Sequence, residues 1–245
     1  MTKLLRYQGK KMLDHGDSIP LFPLNAVLFP GMMLPLHIFE DRYKAMIKEC
    51  MASDNIFGVV LAKTRQAQSP NVAQLYSDDL YSVGTTARIT AVEHLQNNKM
   101  NLVTVGQERF IIKNIKASSD DFIVGQVDPY PLSDRYDPLQ MENLVGRLRP
   151  MVQEYIDHLA DASGEDLSEA TLPTDPKALA YLAGTAVQGP LPDKQQLLAS
   201  DSLGGLIVNT VNVLDRENKI LAYMLKAYQA HQQIQKLPFV DYSLN

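Results

Sequence analysis

The sequence predicts an α+β protein: a small, partly closed β-barrel interrupted by one helix, followed by a C-terminal α-helical bundle. Three observations carry this. Over residues 18–131 the apolar positions fall mostly in short β-forming runs, some with a period of two, the mark of half-buried strands. Over residues 132–245 they recur at spacings of three and four, the mark of amphipathic helices. Between Ile19 and Tyr43 an apolar run holds Pro20, Pro23, Pro30 and Pro35 together with Gly31. Prolines at that density exclude a helix and argue against a central strand, because each removes a backbone donor. This run is expected to be short extended pieces joined by fixed bends.

Residues 1–17 form an N-terminal extension. It is basic (Lys3, Arg6, Lys10, Lys11) but leads into no apolar stretch, so it does not read as a secretory signal. After the proline-rich run, Glu40 and Asp41 place negative charge where a helix N-terminus favours it. Tyr43, Ile47 and Cys50 share one face of that inserted helix, with Met46 and Met51 beside it. Cys50 therefore reads as a small buried hydrophobe.

Ile56–Ala62 is a short strand rich in β formers. Residues 64–78 are polar and read as a mobile loop. Val83, Thr85, Ala87, Ile89 and Ala91 alternate with Gly84, Thr86, Arg88 and Thr90 as a strand. Asn97-Asn98 supplies a tight turn, since asparagine tolerates positive φ. Residues 100–105 return as an antiparallel partner, and Phe110–Ile112 and Phe122–Val127 are two further strands.

In the second half, Leu144, Leu148, Met151, Tyr155 and Leu159 line one face of a helix ending near Gly164. Asp175 and Pro176 open the next helix as N-cap and first-turn residue, and it runs to about Gln188. Asp193 caps a short helix through Leu198. A last helix spans 204–235, its apolar face carried by Leu206, Val211, Leu214, Leu221, Met224, Leu225 and Tyr228 and interrupted by the charged stretch 215–219.

Bulk properties narrow the function. The chain has 245 residues, 45% of them hydrophobic and 21% charged, within the ordinary globular range. A net charge of −5 argues against binding driven by neutralising nucleic-acid phosphates. No apolar run reaches the roughly 20 residues that span a bilayer. One cysteine permits no internal disulfide and suits a reducing cytoplasm.

The sequence carries few patterns that point to chemistry. Gly184 and Gly189 have phosphate-loop spacing, but Pro190-Leu191 follow where lysine and serine or threonine belong. His37, Glu40 and Asp41 resemble an inverted zinc motif that lacks its second histidine. Asp78-Asp79 and Asp120-Asp121 lie in polar loops, and Asp157 and Asp161 face solvent one helical turn apart. No catalytic residue, metal ligand or cofactor is assigned.

The proline-rich run then acquires a family. Residues 23–30 (PLNAVLFP), residues 33–37 (MLPLH), a helix, and residues 56–60 (IFGVV) resemble the N-terminal LON domain of the ATP-dependent protease Lon. Residues 79–89 are similar to its Val-Gly-Thr-x-Ala-x-Ile strand, residues 105–111 to its Gly-x-x-Arg strand, and residues 191–198 to its Asp-Lys-Gln-x-Leu-Leu element. The motifs keep their order over residues 18–230, which the resemblance makes one LON domain. It implies a PUA-like barrel, a helical bundle, a role in recognising protein substrates, and no catalytic residue in this region. Because the chain stops at Asn245, without the ATPase and peptidase modules, it resembles the stand-alone LON proteins that bacteria encode separately.

The function expected is thus non-enzymatic binding of unfolded or apolar protein segments, with full-length Lon a further candidate partner. The candidate contacts are Leu24, Val27, Phe29, Met32 and Met33, because methionine is flexible and suits a tolerant surface; the alternative is that the same residues only close the barrel core. Asp41 and Arg42 form a second candidate surface. The alternatives are a PUA-like RNA-binding protein, which requires a clustered basic face on the barrel, and an enzyme with an unrecognised site.

Overall fold

The computed structural model of the protein describes residues 2–4, 13–63, 77–133, 137–164, 166 and 171–235. The polar stretch expected to be a loop lies almost entirely outside them. The elements are β1 (Thr2–Leu4), β2 (Asp17–Leu24), β3 (Met33–Ile38), α1 (Asp41–Ala52), β4 (Ile56–Leu61), β5 (Val83–His94), β6 (Met100–Ala117) and β7 (Ile123–Pro129). Then come α2 (Pro138–Ser163), α3 (Pro176–Ala186), α4 (Leu191–Leu198) and α5 (Leu203–Gln235).

Five strands return on themselves: β5 pairs with β4, β4 with β2, β2 with β7, β7 with β6, and β6 with β5 again. β1 extends β5 and β3 extends β6. The result is the expected α+β architecture, a partly closed barrel with one inserted helix and helices after it. Leu21 and Phe110 fill the barrel interior and are fully buried. Glycines make room for them. A Cβ on Gly58 would lie 2.6 Å from Leu21 and 2.7 Å from Phe110, and one on Gly125 would lie 2.5 Å from Leu21. A narrow barrel holds two large side chains only where facing positions carry none.

Two expectations about strands need correction. Pro20 and Pro23 both lie inside β2, an eight-residue strand between two neighbours. The stagger explains it. Residues 17–21 pair with β7 and residues 21–24 with β4, so each proline has a neighbour on one side only. Phe110–Ile112 is no separate strand; β6 runs unbroken for 18 residues. Its polar stretch Gln107-Glu108-Arg109 looks like a break because different parts of β6 meet different partners.

α1 lies over the other face of β2 and β4, burying Tyr43, Met46, Ile47 and Cys50 as expected. Phe22 meets Tyr43 with ring centroids 4.1 Å apart. Burial pushes the Cys50 thiol up to about 12. Native protein is therefore expected to resist iodoacetamide at pH 8 and to label fully once unfolded, since the thiolate is the reactive form. Labelling of the native protein at the rate of free cysteine would contradict this packing.

The helical half follows its punctuation. Asp175 accepts from the Ala178 amide at 2.7 Å, and Gly164 ends α2 in the left-handed region with φ 73°. The turn residues Asn97 and Asn98 likewise have φ of 59° and 55°. Asp193 departs from expectation. It sits within the first turn of α4, not at its cap, and binds Arg216 at 2.5 Å. α5 also differs: Leu206 and Leu214 are buried, but Tyr223, Met224 and Tyr228 are exposed. Its outer end runs past the helices that cover its first turns.

Barrel and bundle share a seam. Val27 and Phe29, from the β2–β3 connection, enter the core formed by α2, α3, α4 and α5. Phe29 packs so closely on α3 that a Cβ at Gly184 would meet its ring at 2.7 Å. Arg109 on β6 donates through Nη1 to the carbonyls of Leu198, at 2.5 Å, and Ser200, at 2.7 Å. Gln195 on α4 donates through Nε2 to the Val83 carbonyl of β5 at 2.9 Å. Lys194 donates to the Thr185 and Val187 carbonyls at the end of α3, at 3.2 and 2.9 Å.

Candidate functional site

Alternation along β3 sorts the proline-rich run into two faces. In an extended strand successive side chains point to opposite sides. Leu34, Leu36 and Ile38 turn inward onto the core that includes α1. Met33, Pro35, His37 and, just past the strand, Phe39 turn outward and are exposed. Met33 is 63% exposed and Phe39 56%. At about 3.3 Å per residue this ribbon is about 20 Å long.

The ribbon is held rigidly. β3 pairs with β6 along its whole length, from Met33 opposite Val105 to Ile38 opposite Met100. Thr104 Oγ1 also donates to the Leu34 carbonyl at 2.8 Å. His37 Nδ1 lies 2.8 Å from Asn101 Oδ1, and its ring stacks on Phe39 with centroids 6.0 Å apart. β3 ends the sheet order, so among the described residues its other side carries no strand. Pro35 offers no donor there, which discourages strand-to-strand addition. The surface suits side-chain contact with an apolar segment better than continuation of the sheet.

The sequence-selected contacts separate in space. Val27 and Phe29 are 3% and 0% exposed, so they build the seam and present nothing to a partner. Their burial has a plain cause, since both side chains pack into the core shared with α2, α3, α4 and α5. Leu24 and Met32 are half-buried, and Met32 packs against both the bundle core and the α1 core. Of the five apolar candidates, Met33 alone stands out into solvent. Phe39 was not singled out from sequence. The alternation from Met33 through Pro35 and His37 was the signal that could have found it.

The charged pair also divides. The Asp41 carboxylate is exposed and bound to Lys44 at 2.8 Å, which holds it below the usual carboxylate range. The Arg42 side chain is nearly covered. Its Nη2 lies 2.8 Å from Glu40 Oε2, and its guanidinium sits 4.5 Å from the Tyr43 ring centroid. Burial pushes that tyrosine up to about 12. Arg42 thus braces the start of α1.

Other candidate groups do not converge. Among the described residues no three His, Cys, Asp or Glu side chains are placed to hold a metal ion. Asp120 and Asp121 are exposed in the β6–β7 turn. The cations that an RNA-binding face would need are dispersed: Arg109 is buried in the seam and Lys113 lies 3.4 Å from Asp128. No described helix is long and apolar enough to cross a membrane.

Comparison with known proteins gives a consistent picture. Residues 18–216 match the family model described as the ATP-dependent protease La (LON) substrate-binding domain. The chain is 28% identical over 211 residues to a Lon protease of Anaeromyxobacter dehalogenans, covering 85% of this chain and 24% of the relative. Lon protease 2 of Myxococcus xanthus matches with the same identity and coverage. The chain spans about a quarter of the length of these relatives. Among solved structures, the N-terminal domain of a Mycobacterium avium complex Lon protease superposes with a TM-score of 0.61 at 20% identity, covering 81% of this chain and 98% of that one. A Lon N-terminal domain protein from Xanthomonas campestris gives 0.53 at 22% identity, covering 76% and 92%.

Proposed function

The chain belongs to the ATP-dependent protease La (LON) substrate-binding domain family, and from that membership we propose that it is a non-catalytic module that holds unfolded or apolar segments of other polypeptides. The matched region is a substrate-binding domain, not a peptidase or ATPase. The observation that supports a location for it is the ribbon Met33-Pro35-His37-Phe39, an exposed strip on a fixed strand that is apolar apart from His37. Exposed apolar side chains cost little on a free surface when scattered, but a contiguous strip marks an interaction site. Methionine adapts its shape, and a stacked ring offers area at low entropic cost. The place of action we propose is the cytoplasm, where the lone Cys50 stays reduced.

A fluorescein-labelled, permanently unfolded polypeptide tests this by anisotropy. Reduced and carboxymethylated α-lactalbumin is a suitable probe. Wild-type protein is expected to bind it, and the double variant Met33→Ser/Phe39→Ser to bind about tenfold more weakly or worse. Both side chains are exposed, so the variant should keep its thermal midpoint. Absence of binding, or equal binding by the double variant, would contradict the proposal.

A further inference from the structure

A cleft of about 260 Å³ opens where barrel meets bundle, lined by Pro30, Arg109, Tyr130, Pro131, Lys177 and Tyr181 among others. Its exposed lining is mostly apolar, with prolines, tyrosines and leucines around a few charged and polar side chains, the composition of a binding pocket rather than of a hydrated groove. Arg109 is 4% exposed. Its guanidinium lies 4.8 Å from the Tyr130 ring centroid, and that tyrosine's hydroxyl donates to the Asp201 carboxylate. Nη1 is fixed by the two carbonyls at the end of α4. Nε and Nη2 are buried and meet no hydrogen-bond partner among the described residues.

Those two nitrogens form one edge of the guanidinium, the side-on fork that matches the two oxygens of a carboxylate. A buried donor without a partner is costly, so native proteins nearly always supply one. Burial also works against the arginine charge, which an anion beside it would relieve. Lys177 adds a second cation at the cleft. Glu108 lines it too, with Oε2 accepting from the Leu13 amide at 3.4 Å.

We propose that this cleft receives the free C-terminus of a polypeptide, its carboxylate on the Nε–Nη2 edge of Arg109 and its last, apolar side chain among Pro30, Tyr130, Pro131 and Tyr181. The apolar walls and the single fork select both parts of such a residue at once. The inference rests on the peptide-binding reading above, but uses a different surface from the β3 ribbon.

The test uses two fluorescein-labelled hexapeptides of one sequence ending in leucine, one with a free carboxylate and one amidated, titrated into the full chain. The free acid is expected to bind at least about tenfold more tightly, the range for charge-assisted hydrogen bonds. The preference should shrink in Lys177→Glu, an exposed position that tolerates change, and in Arg109→Lys. It should persist in Met33→Ser/Phe39→Ser, which separates it from the ribbon. N-acetyl-leucine should compete for the site, and acetate only weakly. Equal affinity for acid and amide would overturn the proposal and leave an internal water as the partner of Arg109, whether or not unfolded chains still bind the ribbon. A preference that is unchanged in Lys177→Glu and is not competed by N-acetyl-leucine would equally overturn it.

Discussion

Replacing Phe29 by alanine is expected to destabilise the protein by about 3–5 kcal/mol, the range for truncating a fully buried aromatic side chain. Phe29 leaves the barrel and enters the bundle, with its ring 6.3 Å from that of Tyr181 and pressed against Gly184. The backbone around it is equally tight. The Gly106 amide donates to the Met32 carbonyl, and the Gly31 amide to the Gly106 carbonyl, both at 2.9 Å. A Cβ at Gly106 would stand 2.3 Å from the Phe29 carbonyl oxygen. The surroundings therefore cannot collapse into the space the ring leaves. Urea unfolding followed by circular dichroism measures the loss. Phe29→Leu, which keeps most of the volume, should cost less than about 2 kcal/mol. Equal stability of the alanine variant and wild type would mean that Phe29 does not join the two halves.

Arg109→Met should cost about 3–5 kcal/mol by the same measurement, because each hydrogen bond from a charged donor contributes about 1.5–3 kcal/mol. Methionine keeps most of the apolar stem but leaves the Leu198 and Ser200 carbonyls without the donor they share. It also loses the contact with the Tyr130 ring. Arg109→Lys retains the charge but not the planar fork, so it should recover part of the loss. Gln195→Leu should cost less, since a single neutral bond to Val83 disappears. If Arg109→Met were as stable as wild type, the bonds to α4 would contribute nothing to holding the halves together.

These seam residues explain why parts of the sequence were legible and others not. The Gly-x-x-Arg and Asp-Lys-Gln patterns signalled a family, and their physical work is to fasten one half to the other. Arg109 and Gln195 do so directly, whereas Lys194 closes α3 and Asp193 ties α4 to Arg216 on α5. Local rules served well where the local chain decides the outcome. Asp175 with Pro176, Gly164, and Asn97-Asn98 mark boundaries through capping and positive φ, which depend on neighbours in sequence.

Long-range packing hid the rest. Val27 and Phe29 are apolar in a run without helical or strand periodicity, and nothing local says whether such residues face solvent or another core. Pro20 and Pro23 argued against a central strand, yet the stagger of β7 and β4 along β2 leaves room for both. Met224 and Tyr228 continue the apolar spacing of α5, but whether another element reaches that far is set by the lengths of α2 and α3. Met33 was selected for its chemistry and is exposed, whereas Phe39, four places beyond Pro35, escaped notice because a helix start follows it.

Backbone amide NMR of the wild-type chain, recorded while an unfolded polypeptide is added, tests the central claim most directly. The account predicts saturable shifts concentrated on residues 33–39 and on their β6 partners 100–105, with the α5 face around Tyr223 unmoved. Shifts confined to α5, or no shifts at all at saturating probe, would contradict it.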